Sequence, residues 1–272
     1  MDIAIASGKG GTGKTFISTN LSYIFNKSGE KVNYLDCDVE EPNGHLFLKE
    51  NNREQESISL EAPLKIDREK CNGCGKCQEA CTYNAIAVMN QNAILFPELC
   101  HVCGGCEIVC PQEAIVNSKR KIGDLIHAES NGINIHYALL KQGEGGMSPR
   151  LIKEVKKYAE GEVNILDSPP GTACSAVETI TGSDLVILVA DPTPFSLNDL
   201  KLSVEMCRYL GIEPVVLVNR AEYRDGSLKE YCQQAELDII GEIPDDRKVA
   251  EIYSEGKLVT AELPKYKNIF QD

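Results

Sequence analysis

The sequence contains no hydrophobic run long enough to cross a membrane. Its longest apolar runs, at residues 185–190 and 215–218, are far shorter than the roughly 20 residues that a membrane-spanning helix needs. The first residues, Met-Asp-Ile-Ala, also lack the basic region, apolar region and cleavage site of a secretory signal. These absences predict a cytoplasmic protein without a transmembrane helix.

Positive charge is scarce as well. The 272 residues include 41 Asp and Glu against 28 Lys and Arg, which gives a net charge of −13. A field of this sign repels the phosphate backbone of nucleic acids and anionic lipid surfaces, so neither is expected as a general partner. Hydrophobic residues make up 42% and charged residues 25%, which is typical of a folded globular protein. At about 150 residues a domain, the length predicts one large or two modest cores.

Cysteine, in contrast, is abundant. Eight of the twelve cysteines lie between residues 71 and 110, and in a reducing cytosol dense cysteines more often bind metals or clusters than form disulfides. The eight form two runs, and each position recurs after 29 residues. A repeat of this kind predicts two copies of one small unit, folded around something that neither copy can bury alone.

Outside this cysteine-rich segment, short apolar segments alternate with helical periodicity. The predicted strands are at residues 3–6, 32–38, 133–139, 163–167, 185–190, 215–218 and 239–243. The predicted helices are at residues 16–25, 149–158, 197–210 and 247–254. Strands that are apolar on both faces and separated by helices predict a mostly parallel, doubly wound α/β sheet covered on both sides. Residues 1–62 and 119–272 are therefore expected to form one discontinuous domain, with a small α+β insert at residues 63–118.

Each cysteine run has the spacing Cys-x2-Cys-x2-Cys-x3-Cys, and the insert resembles a bacterial ferredoxin with two [4Fe–4S] clusters. In such ferredoxins the fourth cysteine of each run, on the short helix that follows, binds the other cluster. The resemblance implies that cluster 1 is held by Cys71, Cys74, Cys77 and Cys110. It implies that cluster 2 is held by Cys81, Cys100, Cys103 and Cys106. The backbone dihedrals that turn amides toward the sulfurs are expected at Gly73, Gly75, Gly104 and Gly105.

Tetrahedral zinc sites with four cysteines are the alternative for these runs. Paired Cys-x2-Cys zinc ribbons do not need the third and fourth cysteine of each run, so clusters are favoured. The proline that usually follows the fourth cysteine is present as Pro111, but Thr82 stands at this place in the first copy. That departure concerns local rigidity and not the ligands.

A glycine-rich segment at residues 8–15, Gly-Lys-Gly-Gly-Thr-Gly-Lys-Thr, follows the first strand and opens the first helix, as a P-loop does. Its amides would wrap phosphates, and the helix N-terminus adds partial positive charge. Lys14 would reach the β- and γ-phosphates, and Thr15 would bind Mg²⁺. The residues predicted to bind nucleotide here are Lys9, Gly10, Gly11, Thr12, Gly13, Lys14, Thr15 and Phe16.

With the additional Lys9, this loop resembles the deviant Walker A motif of the MinD, ParA and Mrp class of ATPases, which includes the nitrogenase iron protein. In that class the extra lysine reaches across a dimer interface to the partner's nucleotide, as an arginine finger does. The resemblance therefore implies an ATP-sandwich dimer, either a homodimer or a heterodimer with a paralogue. It also implies hydrolysis of ATP to ADP and phosphate.

Residues 36–38, Asp-Cys-Asp, resemble switch I of the same class. The resemblance implies that Asp38 positions or activates the attacking water. Catalysis is thus expected to depend on Lys9, Lys14 and Asp38.

Two later segments extend the resemblance to the other side of the insert. Residues 164–171 resemble Walker B and switch II, which implies that Asp167 holds Mg²⁺ through water and that Gly171 senses the γ-phosphate. Asn219 and Arg220 stand where the class contacts adenine.

The chain as a whole resembles a MinD-superfamily ATPase with an inserted two-cluster ferredoxin domain. Our first hypothesis is that ATP hydrolysis in a dimer gates electron transfer between the clusters and an unidentified redox partner protein. The insert follows switch I directly, so nucleotide state and cluster position would share one switching element.

Two alternatives remain open. One is a carrier that assembles or delivers iron–sulfur clusters, although eight-cysteine sites hold clusters tightly and the C-terminal Cys-x-x-Cys of Mrp-like carriers is absent. The other is a MinD-like positioning ATPase with a redox module. That function calls for a basic amphipathic C-terminal helix, whereas the tail at residues 263–270 is short and contains Pro264.

Cys174 lies seven residues after Asp167, and the nitrogenase iron protein has a cysteine at this offset that holds a cluster shared across its dimer. Such a cluster needs a second cysteine from a glycine-rich loop, and the corresponding residues 143–148 contain none. The favoured interpretation is a small, semi-buried residue, because cysteine is among the most buried residue types. A metal site or redox contact across a dimer is the alternative.

Overall fold

The computed structural model describes residues 1–221 and 226–271. The chain divides into two compact units. The first comprises Met1–Glu56, Leu125–Leu139 and Ile152–Asp272, and the second comprises Ser57–Asp124 and Leu140–Leu151. The strands are β1 (Asp2–Ala6), β2 (Val32–Asp36), β3 (Asn51–Ile66), β4 (Ile86–Met89), β5 (Asn92–Leu95), β6 (Ile115–Ser130), β7 (Ile133–Leu140), β8 (Val163–Asp167), β9 (Leu185–Ala190), β10 (Val215–Asn219) and β11 (Ile239–Ile243). The helices are α1 (Lys14–Lys27), α2 (Gly44–Leu48), α3 (Lys76–Ala80), α4 (Gly105–Ile108), α5 (Ser148–Lys156), α6 (Cys174–Ile180), α7 (Pro194–Tyr209), α8 (Ser227–Gln234), α9 (Arg247–Ser254), α10 (Val259–Glu262) and α11 (Pro264–Gln271).

The described residues form one nine-stranded sheet in the order β11-β10-β9-β1-β8-β2-β7-β6-β3. Neighbouring strands from β11 to β7 run parallel. β7 follows β6 after a two-residue turn, Asn131-Gly132, and both residues have positive φ, as a tight turn between antiparallel strands requires. The mostly parallel, doubly wound α/β sheet predicted from the alternating pattern is confirmed.

The burial of the central strands explains why this pattern could be predicted from the sequence. All five residues of β2 and of β8 are buried, so these strands are covered on both faces, as in a parallel sheet between two layers of helices. The core between the sheet and α1 includes Phe16 and Ile17. The carboxyl ends of β1, β2 and β8 meet at one edge of the sheet, which is where ligands bind in open α/β folds.

Several predicted boundaries differ from the structure by one to three residues, and two of the differences have a clear local cause. β2 ends at Asp36, not at residue 38, because the Asp36 carboxylate accepts a hydrogen bond from the backbone of Asp38 at 3.2 Å and turns the chain. α7 begins at Pro194, three residues earlier than predicted. The Thr193 hydroxyl caps this helix by accepting from the Ser196 amide, and proline is well tolerated in a first turn.

The two longest strands, β3 and β6, which have 16 residues each, were not predicted. The first seven residues of β3 are exposed and read Asn-Asn-Arg-Glu-Gln-Glu-Ser. This half of the strand has no apolar residue and therefore no alternating pattern from which it could be predicted. The second half does alternate, with apolar residues at positions 58, 60, 62, 64 and 66, and this signal was overlooked.

Within the second unit, the 29-residue sequence repeat is also a repeat of backbone conformation. Positive φ, which is uncommon for residues other than glycine, occurs at three pairs of equivalent positions, and three of these six residues are not glycine. The equivalent positions with positive φ are Gly73 and Val102, Gly75 and Gly104, and Asn84 and Glu113. Two copies of one local fold are therefore present.

Two local predictions for this unit are wrong. Gly105 has no positive φ, because it is the first residue of α4 and the left-handed residue is Gly104 before it. The fourth cysteine of each run lies beyond the short helix and not on it. The cysteines on the helices are the third of each run, Cys77 on α3 and Cys106 on α4.

In the part of the chain that the structure describes, no helix is both long and apolar enough to span a membrane.

Candidate functional site

The glycine-rich loop lies between β1 and α1 and is supported by the side chain of Asn219. Gly13 precedes the helix with φ 102°, and a Cβ there would lie 2.4 Å from Asn219 Nδ2. Both the conformation and the space therefore require glycine. The same Asn219 nitrogen donates to the carbonyl oxygen of Thr12 at 2.8 Å. Asn219 thus positions the loop backbone, a role that the sequence analysis did not assign to it.

Beside this loop is a cavity of about 480 Å³ in the first unit, a size within the usual range for small-molecule sites. Most of the residues predicted to bind nucleotide line it, but Lys9 and Thr12 do not. The predicted residues at the cavity are Gly10, Gly11, Gly13, Lys14, Thr15, Phe16, Asp38, Asn219 and Arg220. The sequence pattern thus located residues that the fold brings together from β1–α1, β2 and β10.

One wall of the cavity was not predicted. It is formed by Asp245 and Asp246 before α9 and by Val249 and Tyr253 on that helix. The rings of Tyr253 and Phe16 are packed in an edge-to-face arrangement, with their centroids 6.0 Å apart. The amphipathic pattern at residues 247–254 predicted the helix, but nothing in it indicated that its apolar side faces a ligand cavity.

Lys14 is a buried cation among carboxylates, with 8% of its surface exposed. Burial lowers the pKa of its amino group, while the charges of Asp167, Asp38 and Asp36 oppose that shift, in that order. Asp38 is half-buried at the cavity, and burial raises the pKa of its carboxyl while Lys14 counters this. A buried lysine beside a cavity is suited to neutralise the charge of a bound phosphate.

Asp167, at the carboxyl end of β8, is 2% exposed. Its Oδ2 accepts a hydrogen bond from the Tyr34 hydroxyl at 2.8 Å, whereas its buried Oδ1 has no hydrogen-bond partner among the described residues. Burial raises the pKa of this carboxyl, whereas the hydrogen bond from Tyr34, the charge of Lys14 and the nearby hydroxyls of Thr15 and Ser18 lower it. A buried carboxylate oxygen without a partner fits Mg²⁺ or its water, because Mg²⁺ takes oxygen ligands.

Lys9 lies away from the cavity and is held within its own chain. Its Nζ is 3.2 Å from Asp191 Oδ2 and 3.4 Å from Thr193 Oγ1. About 29% of the side chain is exposed.

The eight cysteines of the repeat line two small cavities in the second unit. The first cavity is lined by Cys71, Cys74, Cys77 and Cys110. The second is lined by Cys81, Cys100, Cys103 and Cys106. Each cavity therefore brings together three cysteines of one run and the fourth of the other, which is the grouping expected from the ferredoxin resemblance.

The electrostatics of the thiols agree with this grouping. Burial raises the pKa of Cys77, and the next residues that raise it are Cys110 and Cys71. Burial likewise raises the pKa of Cys106, to about 11, with smaller contributions from Cys100 and Cys103.

Backbone amides are directed at several of these sulfurs. The amide of Ala85 donates to Cys81 Sγ at 3.2 Å, and the amide of Ala114 donates to Cys110 Sγ at 3.3 Å. These are equivalent bonds in the two copies, each from the fourth residue after the sulfur. Within residues 1–221 and 226–271, no three His, Cys, Asp or Glu side chains are arranged around a point where a single metal ion could bind.

Cys174 is exposed at the first residue of α6, so the favoured interpretation of a semi-buried residue is wrong. The buried face of α6 is formed instead by Ala176, Thr179 and Ile180. Residues 143–148, compared above with a cluster-binding loop, belong to the second compact unit, whereas Cys174 belongs to the first.

A family model of the CobQ/CobB/MinD/ParA nucleotide-binding domain matches residues 3–259. The chain belongs to this family. An uncharacterised protein of Methanocaldococcus jannaschii, MJ0578, is 38% identical over 223 residues, which cover 81% of this chain and 78% of that protein. The cytosolic Fe–S cluster assembly factor NUBP2 of Gallus gallus is 23% identical, over 97% of this chain and 85% of that protein.

Among solved structures, the septum site-determining protein MinD of Pyrococcus horikoshii, complexed with Mg-ADP, superposes with a TM-score of 0.61. It is 21% identical, and the match covers 99% of this chain and 92% of that chain. At this identity the likeness concerns the fold alone. As a member of the MinD/ParA family, the chain is a P-loop protein for which a nucleotide and Mg²⁺ are expected ligands.

Proposed function

We propose that the protein is a Mg²⁺-dependent ATPase whose nucleotide state controls electron transfer between two [4Fe–4S] clusters and a redox partner protein. The observation that carries the proposal is the placement of the eight cysteines. One chain combines a MinD-like nucleotide site with two cavities, each lined by three cysteines of one run and the fourth of the other.

The donor set of each cavity fits a [4Fe–4S] cluster. Such clusters take four cysteine thiolates, and each thiolate binds a different iron, so the four sulfurs need not converge on one point. The amides of Ala85 and Ala114 donate to Cys81 and Cys110, and hydrogen bonds to the cysteine sulfurs are among the features that set the potentials of such clusters. A bound cluster would supply one-electron transfer. Cys71, Cys74, Cys77 and Cys110 would hold the first cluster, and Cys81, Cys100, Cys103 and Cys106 the second.

In the nucleotide site, we assign roles in hydrolysis to four side chains. Lys14 neutralises charge on the transferred phosphoryl group, and Asp38 orients the water that attacks the γ-phosphorus. Thr15 and Asp167 would hold Mg²⁺, directly or through its water. The water oxygen forms a bond to the γ-phosphorus, the bond from this phosphorus to the bridging oxygen breaks, ADP leaves, and the attacked group becomes inorganic phosphate.

We further propose that the active form is a homodimer in which Lys9 contacts the partner's nucleotide. In the single chain, this lysine is paired with Asp191 and does not line its own nucleotide cavity. Transfer of Lys9 from Asp191 to a phosphate would replace one charge-assisted contact by another. Dimerisation therefore does not leave the ammonium group without a partner.

Assembly or delivery of iron–sulfur clusters is the second candidate function. The likeness to an assembly factor over 97% of this chain favours it, as does the exposure of Cys74 and Cys103, one in each set. A MinD-like positioning role is less favoured. Tyr266 of the C-terminal helix α11 is fully buried, and Phe270 packs edge-on against Phe16, so this helix contributes to the core.

Anaerobic purification followed by redox titration tests the first proposal. The protein is expected to contain about eight iron atoms per chain, four for each cluster. Cluster potentials measured by electron paramagnetic resonance are expected to differ between ADP and a non-hydrolysable ATP analogue. Lys14→Ala is the control, because it retains the clusters but loses the nucleotide response.

Three outcomes separate the candidates. Zinc in place of iron and sulfide would overturn the cluster assignment. Cluster potentials and electron-transfer rates that are the same with ADP and with the ATP analogue would overturn the proposal that the nucleotide controls electron transfer. Rapid loss of iron and sulfide to an apo-ferredoxin acceptor, accelerated by ATP, would instead support the carrier function.

A further inference from the structure

Tyr34 lies in β2 of the first unit with its hydroxyl between two buried carboxylates. The side chain is completely inaccessible to solvent. Its hydroxyl oxygen is 2.8 Å from Asp167 Oδ2 and 3.5 Å from Asp36 Oδ2. A tyrosine hydroxyl has one proton to donate, and the shorter distance directs that proton to Asp167.

The second carboxylate, Asp36, faces Asp167 across the paired strands β2 and β8 and is already supplied with donors. Its Oδ2 accepts from the amides of Asn43 and Gly44 at 3.0 and 2.9 Å, and its Oδ1 accepts from the amide of Asp38 at 3.2 Å. Asp36 therefore holds the loop that carries Asp38. It does not need the tyrosine proton.

The start of α2 leaves room for the hydroxyl and nothing more. A Cβ at Gly44 would lie 1.9 Å from the Tyr34 hydroxyl oxygen, so any larger residue at this place would displace the tyrosine. The tyrosine hydroxyl is thus packed between α2, Asp36 and Asp167, with no access to solvent.

We propose that Tyr34 is a positioning residue for Mg²⁺: by donating to Asp167 Oδ2, it fixes the carboxylate with Oδ1 toward the metal. This inference rests on the proposed Mg²⁺-dependent nucleotide site and adds a residue to it. The two oxygens of Asp167 differ as this role requires, since Oδ2 has a donor and the buried Oδ1 has none among the described residues. Residues that orient a metal-binding group in this way typically change metal affinity by about 10- to 100-fold when they are replaced.

The test is Tyr34→Phe, which keeps the ring and removes only the hydroxyl. A fluorescent ADP analogue reports nucleotide binding, first in the presence of EDTA and then during titration with Mg²⁺. The Mg²⁺ concentration at half-saturation is expected to rise by about 10-fold or more, while binding in EDTA stays within twofold. ATP hydrolysis by the variant is expected to recover at high Mg²⁺.

A matched control is Tyr137→Phe. Tyr137 is another buried tyrosine of the first unit, and its hydroxyl donates to Glu50 Oε1 at 3.1 Å, outside the nucleotide cavity. This variant loses a hydrogen bond of the same kind and is expected to keep the wild-type Mg²⁺ midpoint. Thermal unfolding of both variants checks that they fold.

A double-mutant cycle with Asp167→Asn supplies a second measurement. Because Tyr34 acts through Asp167, its replacement is expected to have little further effect on the Mg²⁺ midpoint in the Asn background. An unchanged midpoint in Tyr34→Phe, or an equal loss of binding with and without Mg²⁺, would refute the inference but leave the nucleotide site standing. If nucleotide binding by the wild-type protein does not depend on Mg²⁺, both the proposed metal site and this inference are refuted.

Discussion

The buried ion pair of the second unit provides a test of how that unit is stabilised. Arg120 and Glu144 are 6% and 7% exposed, and their side chains form a salt bridge. Arg120 Nη1 also donates to the carbonyl oxygen of Cys100 at 2.9 Å. Glu144→Gln would leave the guanidinium buried with its charge uncompensated. We expect the second unit to lose about 3–5 kcal/mol of stability, or about two to four orders of magnitude in its unfolding equilibrium.

The assay must report on the second unit separately. The protein contains no tryptophan, so we suggest urea unfolding of the metal-free, reduced protein, followed by circular dichroism and by thiol labelling. Cys100 is buried, and its labelling rate reports opening of the segment that Arg120 holds. Glu144→Gln is expected to accelerate this labelling and to shift the urea midpoint of the second unit to lower concentration.

Two further variants complete the test. Glu213→Gln disrupts an ion pair with Arg208 on the surface of the first unit and is expected to change neither readout, because exposed pairs contribute little. Replacement of both Arg120 and Glu144 by Met is expected to recover part of the loss, since no buried charge then remains unpaired. A Glu144→Gln protein that is less than about 1 kcal/mol less stable would refute the reasoning from burial.

Three other predictions concern the two sites and the sheet. Asp38→Ala is expected to bind ATP without hydrolysing it and to accumulate as an ATP-bound dimer in gel filtration; hydrolysis at the wild-type rate would contradict the assigned role. Cys110→Ser is expected to remove one cluster, so that adding Cys71→Ser costs no further iron whereas adding Cys100→Ser removes the rest; the reverse pattern would mean that each run binds its own cluster. His136 has its pKa lowered to about 4 by burial and then by a neighbouring imidazole, so the unfolded chain takes up its proton first as the pH falls. Stability is therefore expected to decrease as the pH drops from about 6.5 toward 4, and urea midpoints across this range should show a smaller decrease for His136→Gln.

Much of the nucleotide site could be predicted because local sequence determines it. A glycine-rich loop after an apolar strand places backbone amides at a helix N-terminus whatever the rest of the chain does. Asp38 and Lys14 then reach the same cavity because the carboxyl ends of parallel strands lie at one edge of the sheet. The positions of Asp245 and Tyr253 at this cavity could not be predicted, since they depend on how a distant helix packs.

The cysteine runs show the same division. Their spacing and the 29-residue offset marked the eight residues as a repeat, and the ferredoxin resemblance implied the two sets that line the two cavities. The orientation of Gly105 and the ends of the short helices were predicted incorrectly, because a shift of one residue in a helix start leaves the cysteine spacing unchanged. Nothing in the spacing indicated that Glu144, more than thirty residues after the last cysteine of the repeat, pairs with Arg120 beside Cys100.

What the sequence by itself determined about this protein is its set of local patterns: alternating apolar strands and helices, a phosphate-binding loop and two cysteine runs. These patterns act over a few residues, so periodicity and spacing are enough to recognise them. Only the tertiary structure decided which polar side chains are paired in the interior. The contact of Tyr34 with Asp167 and that of Lys9 with Asp191 join residues 133 and 182 positions apart, and burial makes each such contact strong or costly. Because burial results from the packing of the whole chain, the partner that each of these residues selects is a property of the fold.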